Sequence, residues 1–79
     1  MITIAELTDL VAQALDVDQV DENASMENIE QWDSLGHLSV LTLIDKHLEG
    51  KASTLAGLAS ATGVGEIAQI LETNNLLEK

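Results

Sequence analysis

Apolar residues along the chain fall into helical stripes separated by polar stretches. Leu7, Leu10, Val11, Ala14 and Leu15 repeat at i, i+3, i+4, i+7 spacing and predict an amphipathic helix over residues 4–15. In front of it "TIAE" forms a capping box, with Thr3 serving the first-turn amide and Glu6 reaching back. A second helix is expected from Ser34 to about Leu48, opened by Asp33, whose carboxylate suits both the cap and the positive end of the helix dipole. At roughly 100° per residue, Leu38, Val40, Leu41, Ile44 and Leu48 share one arc, the expected buried side. Leu35 and Leu43 fall outside it, beside Gly36, Ser39 and Lys46. Gly50 is the expected end of this helix. Leu55, Leu58, Ala59 and Thr62 then predict a short helix over 55–61. Ile67, Ala68 and Leu71 predict a last one over 64–73 that frays around "NNLLEK". Proline is absent, and no alternation is long enough to predict a strand. The pattern therefore predicts an all-α fold: one small four-helix bundle of three main helices and a short one, spanning 1–79.

Between the first two helices lies "DVDQVDENASMENIEQWD", residues 16–33, an acidic stretch with apolar pins at Val17, Val20, Met26, Ile29 and Trp32. A loop of this length in a small domain calls for a function or for packing of its own. Asp16, Asp18 and Asp21 lack the "DxDxDG" frame and distal glutamate of a calcium loop, so no metal site is expected. "NAS" at residues 23–25 is a glycosylation sequon only in a secreted chain. Trp32, the sole aromatic, is expected to anchor the loop to the bundle.

Composition narrows the function classes. The chain has 79 residues and a net charge of −11, with no arginine and with Lys46, Lys51 and Lys79 as its only lysines. Such a surface repels phosphate backbones and anionic headgroups, which disfavours nucleic acid and membrane surfaces and favours basic partners. The apolar runs are too short to span a bilayer, and "MITIAELTDL" carries acids where a signal peptide carries bases. With no cysteine there is neither a disulfide framework nor a thiolate site. A monomer in the cytoplasm is the expectation.

The candidate chemistry sits in "EQWDSLGHLSVL", residues 30–41. A serine following an aspartate cap is ordinary at a helix start. As a hydrolytic nucleophile Ser34 lacks the first of the two flanking glycines of a nucleophile elbow, since Trp32 stands two residues before it. The available bases are His37 and His47, and His37 is expected to be a satisfied histidine at the edge of the core.

"WDSLGHLSVLTLID", residues 32–45, resembles the signature of the acyl carrier protein family, in which Asp-Ser-Leu opens the second helix. The resemblance extends in plan over the whole chain: capped helix, acidic loop, "DSL" helix, short helix, and "TGVGEIAQIL" as the last. It implies a carrier with no catalysis of its own. Ser34 would be the attachment point of 4′-phosphopantetheine, with Asp33 and Leu35 flanking it. The arm would hold acyl groups as thioesters on its thiol for a fatty acid, polyketide, nonribosomal or related pathway. The implied partners are a phosphopantetheinyl transferase with coenzyme A, and acyl-loading and acyl-transferring enzymes with basic docking surfaces. Where the family carries acids after the serine, this chain has Gly36 and Ser39, and Lys46 stands where a further acid is usual. Partner recognition is therefore expected at Leu35, Ser39 and Leu43, in a specialised member of the family. The alternative from a different class is a helical interaction module with the same fold and no prosthetic group.

Overall fold

A computed structural model describes residues 1–55 and 57–78, with Ser53 described by its backbone alone. Among them are three α-helices, α1 (Ile4–Leu15), α2 (Ser34–His47) and α3 (Val64–Thr73). Two single 3-10 turns, Ala52–Thr54 and Leu58–Ser60, lie between α2 and α3. Two-residue strands β1 (Ile2–Thr3) and β2 (Leu77–Glu78) pair in parallel, Ile2 with Leu77 and Thr3 with Glu78. The domain is small and mostly helical, and no helix among the described residues is long and apolar enough to cross a membrane.

Each helix starts and stops for a local reason. Thr3 Oγ1 accepts from the Glu6 amide at 3.1 Å while Glu6 Oε1 accepts from the Thr3 amide at 2.9 Å, closing the capping box. At the other end the Val17 amide donates to the Ala12 carbonyl and the Asp16 amide to that of Gln13, with Asp16 left-handed at φ 57°. This is a Schellman stop, and it recurs at Glu49 after α2 and at Asn75 after α3. Glu49 thus takes the left-handed stop expected of Gly50, and Gly50 follows it with its amide on the Asp45 carbonyl at 2.8 Å. The stop at Asn75 turns the chain back, so of "NNLLEK", whose last residue lies outside the described residues, 74–78 do not fray: the Ile2 amide donates to the Leu76 carbonyl at 2.9 Å and β2 covers the end of the core. A strand of two residues is too short to leave an alternating signature in sequence.

The core is built from Leu7, Val11 and Leu15 of α1, Val40 and Ile44 of α2, and Val64, Ile67 and Leu71 of α3, closed by Ile2 and Trp32. Residues 16–33 pack on it locally, as their length requires. Val17, Val20, Met26 and Ile29 are half-buried, and Ala24 and Trp32 are buried. Near its middle the loop forms an antiparallel bridge between Ser25 and Gly63, with Met26 donating to the Thr62 carbonyl at 2.8 Å and Val64 to that of Ala24 at 2.9 Å. A Cβ on Gly63 would stand 3.0 Å from the Ala24 carbonyl oxygen, so the bridge depends on glycine there.

Two further expectations are corrected. Leu38 is 61% exposed, and His37 takes its place in the core, so the buried stripe of α2 reads His37, Val40, Ile44, with Leu41 half-buried beside it and Leu48 buried just past the end of the helix. Residues 34–44 carry no charge, so apolar side chains occur all around the helix and its phase is not fixed by hydropathy. Of the short helix expected over 55–61, residue 56 lies outside the described residues, and the described part contains the 3-10 turn Leu58–Ser60.

The caps make the fold sensitive to acid. Backbone and side-chain hydrogen bonds from Thr3 hold the Glu6 carboxyl below its ordinary value of 4.5. The Thr62 hydroxyl and amide do the same for Glu66 at the start of α3. A carboxyl depressed in the folded state contributes stability above its ordinary value, and that contribution is lost as pH falls through the folded value. Thermal unfolding followed by circular dichroism should therefore show stability falling below pH 4.5. In the Thr3→Val/Thr62→Val double variant the same acid step should be smaller, and an equal step in both proteins would contradict this origin.

Candidate functional site at the start of the second helix

Asp33 has extended backbone and caps α2, its Oδ1 accepting from the Gly36 amide at 2.8 Å. Its carbonyl accepts from the His37 amide at 2.8 Å, the first bond of the helix. The cap therefore takes the third and fourth amides, and the amides of Ser34 and Leu35 make no hydrogen bond to a described residue. Ser34 is the first helical residue, exposed, and its hydroxyl makes no hydrogen bond to a described residue. A hydroxyl oxygen thus stands in solvent beside two N–H groups that no described residue engages, at the positive end of a 14-residue helix.

The two residues flanking this turn are buried and joined. Trp32 is 1% exposed, and its indole Nε1–H donates to His37 Nδ1 at 3.0 Å. The rings stack with centroids 6.1 Å apart at 25°. An indole N–H only donates, so Nδ1 bears the lone pair and Nε2 the proton. Nε2 lies 2.9 Å from the Leu58 carbonyl oxygen, an acceptor that suits it. Both ring nitrogens are committed to structure, which is the satisfied histidine the sequence suggested, set deeper than its edge. His47, on the other hand, stands at the far end of α2, 3.8 Å from Glu6 Oε2.

Gly36 is held by its surroundings. A Cβ there would overlap the Gln31 carbonyl oxygen and stand 2.9 Å from Leu15 Cδ2. The turn 31–33 therefore lies directly over the first turn of α2, a closeness that no local sequence signal announces.

The residues expected to meet partners are placed as follows. Leu35 is 75% exposed beside Ser34, Ser39 is exposed with its hydroxyl on the Leu35 carbonyl, and Leu43 is half-buried. Leu38, expected in the core, joins them. Leu38, Ser39, Thr42 and Leu43 of α2 with Ala14 of α1 line a shallow groove of about 370 Å³. Among the described residues, no group of three or more His, Cys, Asp or Glu gathers as a metal site. The chain matches no protein-family model, no curated protein and no solved structure.

Two glycines in helices give opposite expectations. Alanine is better than glycine in a helix by up to about 1 kcal/mol, but overpacking against backbone costs about 1–3 kcal/mol. Gly36→Ala should therefore lower unfolding free energy in urea by about 1–2 kcal/mol. Gly65→Ala in α3, where a Cβ meets nothing within 4 Å, should be neutral or stabilising. A Gly36→Ala protein as stable as the parent would show that the approach of Gln31 is loose.

Proposed function

We propose that this chain is an acyl carrier protein of the four-helix kind, loaded with 4′-phosphopantetheine on Ser34. The observation that carries the reading is the exposed Ser34 hydroxyl, which makes no hydrogen bond to a described residue, at the capped start of α2. The residues present fit a phosphodiester on that oxygen. The amides of Ser34 and Leu35 offer donors and the helix dipole favours the negative charge, by about 0.3–1 kcal/mol at an exposed site. Asp33 acts against this by repulsion, but its Oδ1 is turned to the Gly36 amide, where the cap stabilises the helix by about 1 kcal/mol. With both His37 nitrogens committed, no imidazole of this turn is offered to Ser34 as a base, which favours a substrate of another enzyme over a hydrolase.

In the loading step Ser34 Oγ forms a bond to the phosphorus of coenzyme A that bears the pantetheine. The pyrophosphate linkage breaks, adenosine 3′,5′-bisphosphate leaves, and the serine proton passes to a base of the transferase. The arm supplies a terminal thiol that holds acyl groups as thioesters. The chain's own part is to present the oxygen, keep the helix start formed, and offer partners a docking face.

Leu35 and Leu38, with Ser39 and Leu43, form that face, and the −11 charge speeds encounter with basic partners before the apolar contact forms. The exposure of both leucines equally favours a helical interaction module without the arm. Intact mass separates the two. Incubated with coenzyme A and a broad-specificity phosphopantetheinyl transferase, the chain should gain one phosphopantetheine, and Ser34→Ala should gain none. A parent chain left unmodified by several such transferases would overturn the carrier reading and leave the interaction module, whose partner binding Ser34→Ala should spare and Leu43→Asp weaken.

A further inference from the structure

The loading of Ser34 needs more than exposure, because no hydrogen bond to a described residue fixes its oxygen. What fixes the backbone around it is a bond between side chains on either side. Trp32 precedes the cap and His37 follows in the first turn, and the 3.0 Å Nε1–H to Nδ1 bond closes a ring over residues 33–36. Inside that ring lie the Asp33 cap on Gly36 and the Asp33 to His37 backbone bond. The ring is tied at one end to the loop by the Trp32 amide on the Ile29 carbonyl at 3.0 Å. It is tied at the other to the 3-10 turn by His37 Nε2 on the Leu58 carbonyl at 2.9 Å. The end of the loop, the first turn of α2 and the 3-10 turn 21 residues beyond His37 thus meet at a single imidazole.

We propose that His37 is the positioning residue of Ser34: its neutral Nε2–H imidazole clamps Trp32 and Leu58, and so keeps the serine in the one conformation the transferase can use. The proposal rests on the carrier reading of Ser34. A helix start that opens part of the time is usable only for the remaining fraction, and apparent affinity falls by that fraction. The clamp therefore acts on KM for the carrier more than on kcat. A glutamine at position 37 has one acceptor and one donor at about the spacing of the imidazole nitrogens, so it can serve both partners. A leucine fills the space and serves neither.

The test compares wild type, His37→Gln, His37→Leu and Trp32→Phe at a temperature where circular dichroism shows each folded. It reads two quantities: transferase kinetics with coenzyme A, and amide hydrogen exchange. His37→Leu should raise KM for the carrier roughly tenfold with kcat within about twofold, following the fraction of usable chain. His37→Gln should stay within about threefold of wild type. Exchange at the Gly36 and His37 amides should quicken in His37→Leu while the amides of Val11 and Leu71 keep their protection, since only the helix start opens. A folded His37→Leu with wild-type KM and unchanged Gly36 and His37 exchange overturns the proposal, as does a His37→Gln protein as impaired as His37→Leu. Should His37→Leu fail to fold, Trp32→Phe decides, because it keeps an aromatic ring in the core and removes the N–H with the five-membered ring, the packing loss being read separately in the protection of Val11 and Leu71. Wild-type KM and exchange in that variant overturn the clamp. Exchange needs no modification, so if wild type is never loaded the carrier reading fails while the clamp itself is still tested.

Discussion

The structure depends on finding an acceptor for one buried N–H. Trp32 is the largest side chain of the core, and burying its 150–250 Å² favours folding by about 4–6 kcal/mol. Left without partners, the indole N–H, the imidazole and the Leu58 carbonyl would cost about 1–3 kcal/mol each, enough to cancel that gain. The relay from Trp32 through His37 to Leu58 removes the cost, and no buried side-chain nitrogen or oxygen among the described residues lacks a hydrogen bond. Because the imidazole lies inside, α2 is rotated so that His37, Val40 and Ile44 face the core, and Leu38 is turned outward beside Leu35. One polar network thus decides both the packing of the loop and the character of the exposed face.

That face is unusual for so acidic a chain. Residues 34–44 carry no charge, while the rest of the sequence carries all fourteen acids. Charge and exposed apolar surface are therefore divided: in the proposed carrier the acids would act at long range, within about a Debye length, and Leu35 and Leu38 only on touching. This division suits a partner that must arrive fast and leave again, because steering raises the on-rate without deepening the bound state.

How much of this the sequence announced follows from where each signal lies. The spans of α1 and α3 were legible because a cap or first-turn acid, a single apolar stripe and a polar face agree within a dozen residues. The start of α2 was legible at Asp33 and Ser34 for the same reason, and Trp32 as an anchor because a lone aromatic among pins has little else to do. The phase of α2 was not, because hydropathy ranks Leu38 above His37, and only the indole's need for an acceptor reverses that order. The strand pairing of Ile2 with Leu77 escaped because two residues per strand hold no period, and their partners are at opposite ends of the chain.

Gly36 is set by packing against its neighbours. Its position after Asp-Ser-Leu is one where an acid would strengthen an electrostatic docking surface. Here the turn 31–33 is drawn down on α2 by the Trp32–His37 bond, and the Gln31 carbonyl and Leu15 occupy the space a side chain would need. Restoring an acid at this position would push the turn away and strain the very clamp that buries Trp32. Glycine at 36 is therefore matched to the closeness of Gln31 and Leu15, and in the proposed carrier docking would fall to the side chains that point outward beside Ser34, Leu35 and Leu38.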